Sequence, residues 1–340
     1  FLEVSIEADP LEARDHRVPV RVRITPSKPK KLRFGLGYDT DKGPGLMARY
    51  RDLNVFQKGY EWNSELQLSE RLQGLAFDFT LPGSRHLEQK TILKAGVKRE
   101  TGDPYTTRSY FAEYEHLFPF GRGRIGTGYL RLLGENFEVG TQEGYSTLLI
   151  PGVRFWERRF DDPAHPRQGF RYILETRGSA PFLGSSGYFL QWLAQTDYLL
   201  PLGKGFSLLL RAQAGNTLQT ESLKSLPPSL RFFAGGDQSL RGYDYQSLGP
   251  KDGSGKVIGG RNLLVGSLEM EKALTETWGL AAFYDLGNAF DDFSDIGWKH
   301  SAGLGLRLYT PLGPIRLDLA HPLGVDTFQL RVHFSFGFGL

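Results

Sequence analysis

The stretch Phe328–Phe338, "FQLRVHFSFGF", alternates between two kinds of side chain without a break. One face carries Phe328, Leu330, Val332, Phe334, Phe336 and Phe338, and the other carries Gln329, Arg331, His333, Ser335 and Gly337. A period of two is the pattern of a β-strand. An average soluble strand has about 5–6 residues, whereas a tilted membrane-spanning strand needs about 9–11. The stretch therefore predicts a strand that crosses a membrane.

The same alternation recurs along the chain, in "FRYILETR" (170–177), "YFLQWLAQTDY" (188–198), "FSLLLRAQAG" (206–215), "LLVGSLEME" (263–271) and "IRLDL" (315–319). A soluble β-sandwich also alternates, and alternation by itself leaves open which face is the outer one. Strand length and aromatic-rich strand ends favour lipid outside and a polar lumen within. We predict an all-β fold, a 16-stranded antiparallel transmembrane β-barrel over residues 31–340. The predicted strands are 31–40, 45–53, 60–69, 74–81, 90–100, 106–116, 123–134, 145–158, 169–179, 188–200, 205–216, 261–272, 278–287, 298–310, 313–320 and 326–338.

The lengths of the connections suggest an orientation. If the residues before Lys31 lie in the periplasm, the tight connections 201–205 and 310–314 fall on the periplasmic side, where such barrels keep their turns short. The longest connection, 217–260, then falls on the extracellular side. Residues 1–30 differ from the rest: "LEVSIEADP" (2–10) and "RVPVRVRIT" (17–25) suggest a hairpin too small to stand alone. We expect the end of a soluble domain followed by a linker.

Several classes of function find no support. The chain has no cysteine and a net charge of +3, which disfavours thiolate chemistry and nucleic-acid binding. "GRGRIG" (121–126) matches a dinucleotide motif but is followed by a strand pattern rather than a helix. The seven histidines show no metal-ligand spacing, "DGSG" (252–255) lacks the glutamate of a calcium loop, and no G-x-S-x-G sequence occurs. We predict no enzymatic activity, no catalytic residue, no cofactor and no metal site.

Charged residues on the predicted inner wall are the remaining candidates for function. Glu269 and Glu271 share the inward face of their strand, and Asp285 points inward if Tyr284 and Leu286 face lipid. One interpretation is a solvated lumen lined by mixed charge. The other is that these carboxylates receive a cationic side chain from a loop.

Two short motifs carry a resemblance to a known family. "RGY" (241–243) and "FYDLG" (283–287) resemble the (V/I)RG(F/Y) and F-x-D-x-G motifs of the BamA/TamA superfamily of outer-membrane assembly factors. The longer segments 227–250, 279–292 and 303–323 are most similar to the TamA family. Leu240 departs from the superfamily pattern, which more often has Val or Ile there.

The resemblance implies a site and a domain assignment. Loop 217–260 would fold back into the lumen, where Arg241 would pair with Asp285 first and with Glu271 or Glu269 second. Gly242 would allow a tight loop tip, and Tyr243 would pack beside it. Residues 1–30 would be the end of the last POTRA domain and its linker.

The resemblance also implies a mechanism. A weak seam would join the first strand, with Gly35 and Gly37, to the last strand, with Gly337 and Gly339, and its opening would offer an edge to incoming strands. The chain would insert a subset of outer-membrane proteins, among them autotransporters, into the Gram-negative outer membrane. Its partners would be unfolded clients, outer-membrane lipid and an inner-membrane-anchored TamB-like protein. The alternatives are a two-partner-secretion pore, a passive porin or adhesin, and a role in lipid transport.

Overall fold

A computed structural model describes residues 3–8, 17–25, 28–83, 89–162, 166–219, 225–310, 313–325 and 327–336. Strands β1 (Glu3–Ala8) and β2 (Val20–Thr25) pair in a separate two-stranded antiparallel sheet. The barrel strands are β3 (Lys30–Asp39), β4 (Gly43–Val55), β5 (Tyr60–Ser69), β6 (Leu72–Pro82), β7 (Lys90–Thr101), β8 (Tyr105–Pro119), β9 (Arg124–Val139), β10 (Gln142–Phe160), β11 (Gly169–Ser179), β12 (Phe189–Gly203), β13 (Phe206–Leu218), β14 (Asn262–Ala273), β15 (Trp278–Phe290), β16 (Lys299–Thr310), β17 (Gly313–Leu323) and β18 (Arg331–Phe336). Short 3-10 helices span Pro181–Leu183 and Pro228–Leu230. Among the described residues, no helix has the length and hydropathy that crossing a membrane requires.

Strands β3 to β18 form one closed barrel of sixteen strands. Each strand pairs antiparallel with the next along the chain, and β18 closes the circle by pairing with β3. The predicted fold class, an all-β barrel of sixteen antiparallel strands, is confirmed. Closure pairs the strand edges that an open sheet would expose.

The two faces of the wall follow from the alternation in sequence. In β15, Trp278, Leu280 and Tyr284 are exposed on the outside of the barrel. The residues on either side of Tyr284, Phe283 and Asp285, are buried on the inside. The neighbouring strand β14 exposes Leu268 and Met270 and buries Glu269. The outer surface is thus apolar and the inner wall carries the charges, as in an outer-membrane barrel.

The last strand is shorter than its alternating pattern predicts. Its ladder with β17 runs from the pair Ala320–Arg331 to the pair Arg316–Ser335. Residues 327–330 precede the strand, and there the ring of Phe328 stacks on His321 with 4.8 Å between ring centroids. Alternating polarity therefore extends beyond the residues that hydrogen-bond to a neighbouring strand. The assignment of residues 1–30 to a POTRA domain stays a prediction.

Candidate functional site: a loop anchored by arginine to the barrel wall

The connection between β13 and β14 provides the candidate site. It lies between Leu218 and Asn262, so it begins two residues and ends one residue later than predicted. Its main described part starts at Ser225. We call residues 225–260 the lumen segment, because their buried side chains contact the inward faces of strands on opposite sides of the barrel. Apolar anchors start this packing: Leu226 and Leu230 pack with Leu148 and Phe189 of the wall.

A second apolar cluster holds the middle of the lumen segment. Phe232, Ala234, Leu240 and Leu248 pack against Val265 of β14 and Ala289 of β15. Leu240 is fully buried. A buried aliphatic side chain is therefore what this position requires, which Leu satisfies as well as the Val or Ile more common in the superfamily motif.

Polar contacts anchor the start of the segment on another part of the wall. The Ser229 hydroxyl donates to Glu135 Oε2 at 2.5 Å, and Glu135 of β9 is fully buried. The Arg231 guanidinium donates to the Leu226 carbonyl at 2.7 Å and to Gln142 Oε1 of β10 at 3.1 Å. Burial lowers the pKa of Arg231 to about 10.

Arg241 is the most strongly bound side chain of the lumen segment. It is 2% exposed. Its Nε donates to Asp285 Oδ2 and its Nη2 to Asp285 Oδ1, both at 2.8 Å, so the guanidinium grips the carboxylate with two parallel bonds. The Arg241 backbone N–H donates to the same Asp285 oxygen as Nε, at 3.1 Å. This fork geometry is specific to arginine and unavailable to lysine.

Further wall residues complete the coordination of Arg241. Its Nη1 donates to Glu269 Oε2 at 2.5 Å and to Asp318 Oδ2 at 3.3 Å. Its Nη2 also donates to the hydroxyl of Ser267 at 3.2 Å. The guanidinium carbon lies 3.4 Å from the centre of the Phe283 ring, an additional cation–π contact. Burial alone lowers the pKa of Arg241, but the hydrogen bonds and charge of Asp285, with Glu269 and Asp318, raise it above its ordinary value.

A second buried arginine, Arg307 of β16, shares these carboxylates. Its Nη2 donates to Glu269 Oε1 at 2.7 Å and its Nη1 to Asp318 Oδ1 at 2.5 Å. Its Nε donates to Glu271 Oε1 at 3.1 Å. Glu269 and Asp318 therefore each bridge one arginine of the wall and one of the lumen segment. A buried charge is costly unless paired, and the bridges pair the loop cation with a preassembled set of wall anions.

The residues after Arg241 fit closely against the wall. Gly242 has φ +95°, and a Cβ there would lie 3.2 Å from Pro322 N and from Ser301 Cβ. Its N–H donates to His333 Nε2 of β18 at 3.1 Å. The Tyr243 hydroxyl donates to the His300 carbonyl at 3.2 Å. The tip thus requires glycine both for its backbone conformation and for space.

The structure brings most of the sequence-predicted site residues together. Arg241 contacts Asp285 and Glu269, whereas Glu271 contacts Arg307 instead of Arg241. Sequence reasoning had not named Asp318, Ser267 and His333 as partners. The alternation of "IRLDL" placed Asp318 on a polar face, but nothing in the sequence showed that it lies level with Arg241.

The seam is described over a short length. Within the described residues, β18 pairs with β3 through Ser335–Asp39 and Phe336–Tyr38. The Thr40 N–H also donates to the Phe334 carbonyl at 3.0 Å. The ladder on the other side of β3 runs from Lys30–Asp52 to Asp39–Gly43 and includes Gly35 and Gly37. Gly337 and Gly339 lie outside the described residues, so their part in a seam stays a prediction.

A closed sixteen-stranded barrel with an apolar outer face and a loop arginine bound inside defines the class: an outer-membrane-type β-barrel with an anchored lumen segment. Residues 54–340 match the family model of the Omp85 superfamily domain. The chain belongs to the Omp85 superfamily.

Two curated relatives match nearly the whole chain. The outer membrane protein assembly factor BamA of Nitratidesulfovibrio vulgaris (strain Hildenborough) is 26% identical over 359 residues, covering 100% of this chain and 45% of the relative. BamA of Neisseria meningitidis serogroup B is 23% identical over 406 residues, covering 99% of this chain and 51% of the relative. The chain spans about half the length of the curated relatives it matches.

Solved structures support the fold. BamA from Haemophilus ducreyi lacking POTRA domains 1–3 superposes with a TM-score of 0.83 at 17% identity, covering 99% of this chain and 75% of that one. CdiB from Acinetobacter baumannii gives a TM-score of 0.62 at 15% identity, covering 99% and 65%. The barrel and these relatives indicate a protein of the Gram-negative outer membrane.

Proposed function

We propose that the chain is the membrane part of an outer-membrane protein assembly factor, which helps unfolded outer-membrane proteins to fold and insert without covalent chemistry. Its family membership and the names of its curated relatives support this role. The observation that carries it is the anchoring of Arg241, which fixes the lumen segment to β14, β15 and β17 through buried ion pairs. The passive-pore alternative leaves these buried ion pairs of the loop unexplained.

The lumen segment also reaches the seam. Gly242 donates to His333 on the last strand, and the Asp237 N–H donates to Asp41 beside the first strand at 2.6 Å. The anchored segment therefore contacts both edges of the seam. We propose that separation of β3 and β18 offers backbone donors and acceptors to a client strand, and that Gly35, Gly37, Gly337 and Gly339 ease the bending this requires.

The finer identity is part of the proposal. Similarity of the motif segments to the TamA family suggests a subset of clients that includes autotransporters, and a TamB-like inner-membrane-anchored partner acting through periplasmic domains. In this arrangement the N-terminus is periplasmic, residues 1–30 are the end of the last POTRA domain, and loop 217–260 enters the lumen from the extracellular side. Residues 31–340 are the outer-membrane barrel, which works without an active site.

Client folding in lipid vesicles tests the proposal. Vesicles carrying the wild-type chain should fold an added β-barrel client several-fold faster than empty vesicles, as measured by the shift of the folded client in unheated gel electrophoresis. Vesicles carrying Arg241→Ala should fold it more slowly than those carrying Arg49→Ala, since Arg49 forms a half-exposed pair with Glu65. Equal rates with and without the wild-type chain would contradict the proposal.

The alternative function, a two-partner-secretion pore, predicts a different observable. The buried lumen segment should keep the single-channel conductance of the wild-type chain small and intermittent. A large, stable conductance that does not change in Arg241→Ala would favour the transport pore over the assembly factor.

A further inference from the structure

Three carboxylates meet where the lumen segment reaches the seam. Asp39 ends β3, Asp41 lies in the turn that follows, and Asp237 belongs to the lumen segment. One oxygen from each carboxylate lies within 4.8 Å of those from the other two. Asp237 is 196 positions from Asp41 in sequence, and the predicted absence of a metal site rested on local spacing alone.

Backbone contacts hold two of the three carboxylates, those of Asp39 and Asp41, in this arrangement. The Asp237 N–H donates to Asp41 Oδ2 at 2.6 Å, and the Asp41 N–H donates to Asp39 Oδ1 at 2.8 Å. Gly236 has φ +100°, and a Cβ on it would lie 2.4 Å from Asp41 Oδ2. The close approach of Asp41 to the lumen segment therefore depends on glycine at 236. The cluster is held together by the fold rather than by chance side-chain rotation.

The cluster has little positive charge around it: Lys42 acts on Asp39 and Asp237 only from beyond ion-pair distance. Asp41 is 5% exposed, and within the described part of the chain no lysine or arginine lies at ion-pair distance from the three carboxylates. Adjacent carboxylates, here one buried and two half-buried, repel one another when ionised, and a proton or a cation between them relieves the repulsion.

A histidine points into the same space. His333 of β18 is 7% exposed, and its Nε2 accepts the Gly242 N–H, so the proton of the neutral ring is on Nδ1. Nδ1 lies 3.9 Å from Asp41 Oδ1 and has no hydrogen-bond partner among the described residues. Buried donors are normally satisfied. A gap of this length is too long for a direct hydrogen bond.

We propose that Asp39, Asp41 and Asp237 bind a divalent cation that prefers oxygen ligands, of the Ca²⁺ class, with a coordinated water accepting a hydrogen bond from the Nδ1–H of His333. Carboxylates and water are the ligands such cations take, and Ca²⁺ tolerates irregular geometry. Softer metals would seek the imidazole nitrogen, but the Nε2 lone pair of His333 is already engaged by Gly242.

The cation would tie the lumen segment to both edges of the seam. Two of its ligands lie on the β3–β4 hairpin and one on the lumen segment, and His333, which contacts the coordinated water, lies on β18. Cation binding would then stabilise the closed barrel. This consequence rests on the proposed assembly function, whereas the binding site itself does not.

Terbium luminescence measures the binding directly on the full chain folded in detergent micelles. Tb³⁺ replaces Ca²⁺ and emits when excited through a nearby tyrosine; the ring of Tyr245 lies next to Gly236 and thus next to the cluster. We expect tyrosine-sensitised emission that Ca²⁺ displaces. Asp41→Asn and Asp237→Asn should each weaken Tb³⁺ binding at least tenfold, while Asp292→Asn, which changes an exposed loop carboxylate, should leave it unchanged. Equal binding by wild type and Asp41→Asn would overturn the proposal.

Thermal unfolding provides a second measurement that a merely misfolded variant cannot imitate. Ca²⁺ at ten times its dissociation constant should raise the unfolding midpoint of the wild type by about 2 °C. Asp41→Asn removes one of the mutually repelling charges, so without cation its midpoint should equal or exceed that of the wild type, and added Ca²⁺ should not shift it. A lower midpoint that Ca²⁺ still raises would contradict the assignment. Neither assay contains a client, so a failure of the assembly function would not alter these results.

Discussion

Replacing Arg241 by alanine should release the tip of the lumen segment from the barrel wall. The substitution removes the two parallel bonds to Asp285 and the bonds to Glu269 and Asp318, and it leaves carboxylates that are 0–9% exposed without their loop cation. Removing one partner of a buried ion pair costs roughly 3–5 kcal/mol. Because Arg307 still holds Glu269 and Asp318, we expect a cost near the lower end of that range.

This free-energy cost corresponds to a larger fraction of molecules in which the tip of the lumen segment is detached from the wall. Each ~1.4 kcal/mol corresponds to about a factor of ten in an equilibrium constant, so roughly 3 kcal/mol raises the open fraction of the tip about 100-fold. The assay is native-state hydrogen exchange of the Gly242 amide, which donates to His333 across the loop–wall boundary. Its protection should fall by about that factor in Arg241→Ala.

Two further variants make the test specific. Arg49→Ala, which breaks a pair with 39% and 31% exposed side chains, should cost under about 1 kcal/mol and leave the Gly242 amide protected. In a double-mutant cycle, Arg241→Ala and Asp285→Ala together should cost roughly 1–3 kcal/mol less than the sum of the single changes. Additive effects, or unchanged protection of Gly242 in Arg241→Ala, would refute the assignment of Asp285 as the main partner.

Three further substitutions probe other parts of the same arrangement. Arg307→Ala should lower the free energy of unfolding of the barrel, measured in urea, by roughly 3–5 kcal/mol, since its partners are buried wall carboxylates; a loss below about 1 kcal/mol would show that the network does not need it. Gly242→Ala should expose the loop tip to protease, because both φ +95° and the contact with β16 and β17 oppose a Cβ at this position. Gly255→Ala is the control, since Gly255 has φ +84° but open space around it. Equal cleavage of the two variants would contradict the role of close packing at Gly242. Ser229→Ala deprives buried Glu135 of its hydroxyl donor and should destabilise the start of the lumen segment by about 1–3 kcal/mol, measured by exchange of the Leu230 amide; unchanged exchange would contradict the anchor.

The sequence predicted the barrel well because alternation is a local property. A strand of the wall has lipid on one side and the lumen on the other, so the polarity of each residue indicates which of the two it faces. Asp285 and Glu269 could be assigned inward in this way, and the positions of most strand ends followed within a few residues. The prediction was wrong at the start of the last strand, because Phe328 and Leu330 continue the polarity pattern without a backbone partner on β17.

Alternation cannot reveal the height of a residue along the barrel axis. Whether Glu269 or Glu271 meets Arg241 depends on strand stagger and on how far the loop descends, and both are set by the assembled barrel. Asp318 and His333 were missed for the same reason. The cluster of Asp39, Asp41 and Asp237 is a stronger case, since it exists only when the loop contacts the first hairpin.

The most direct test of the central claim is a disulfide across the seam. Tyr38 and Phe336 are paired residues of β3 and β18, and the native chain has no cysteine to interfere. Directly opposite residues lie about 4.5–5.5 Å apart at Cα, within the range of about 4.4–6.8 Å that a disulfide spans. In vesicles, oxidised Tyr38→Cys/Phe336→Cys should lose acceleration of client folding and regain it on reduction, while Tyr38→Cys alone should be unaffected by oxidant. Full acceleration by the fully crosslinked barrel would contradict a mechanism that works by opening the seam.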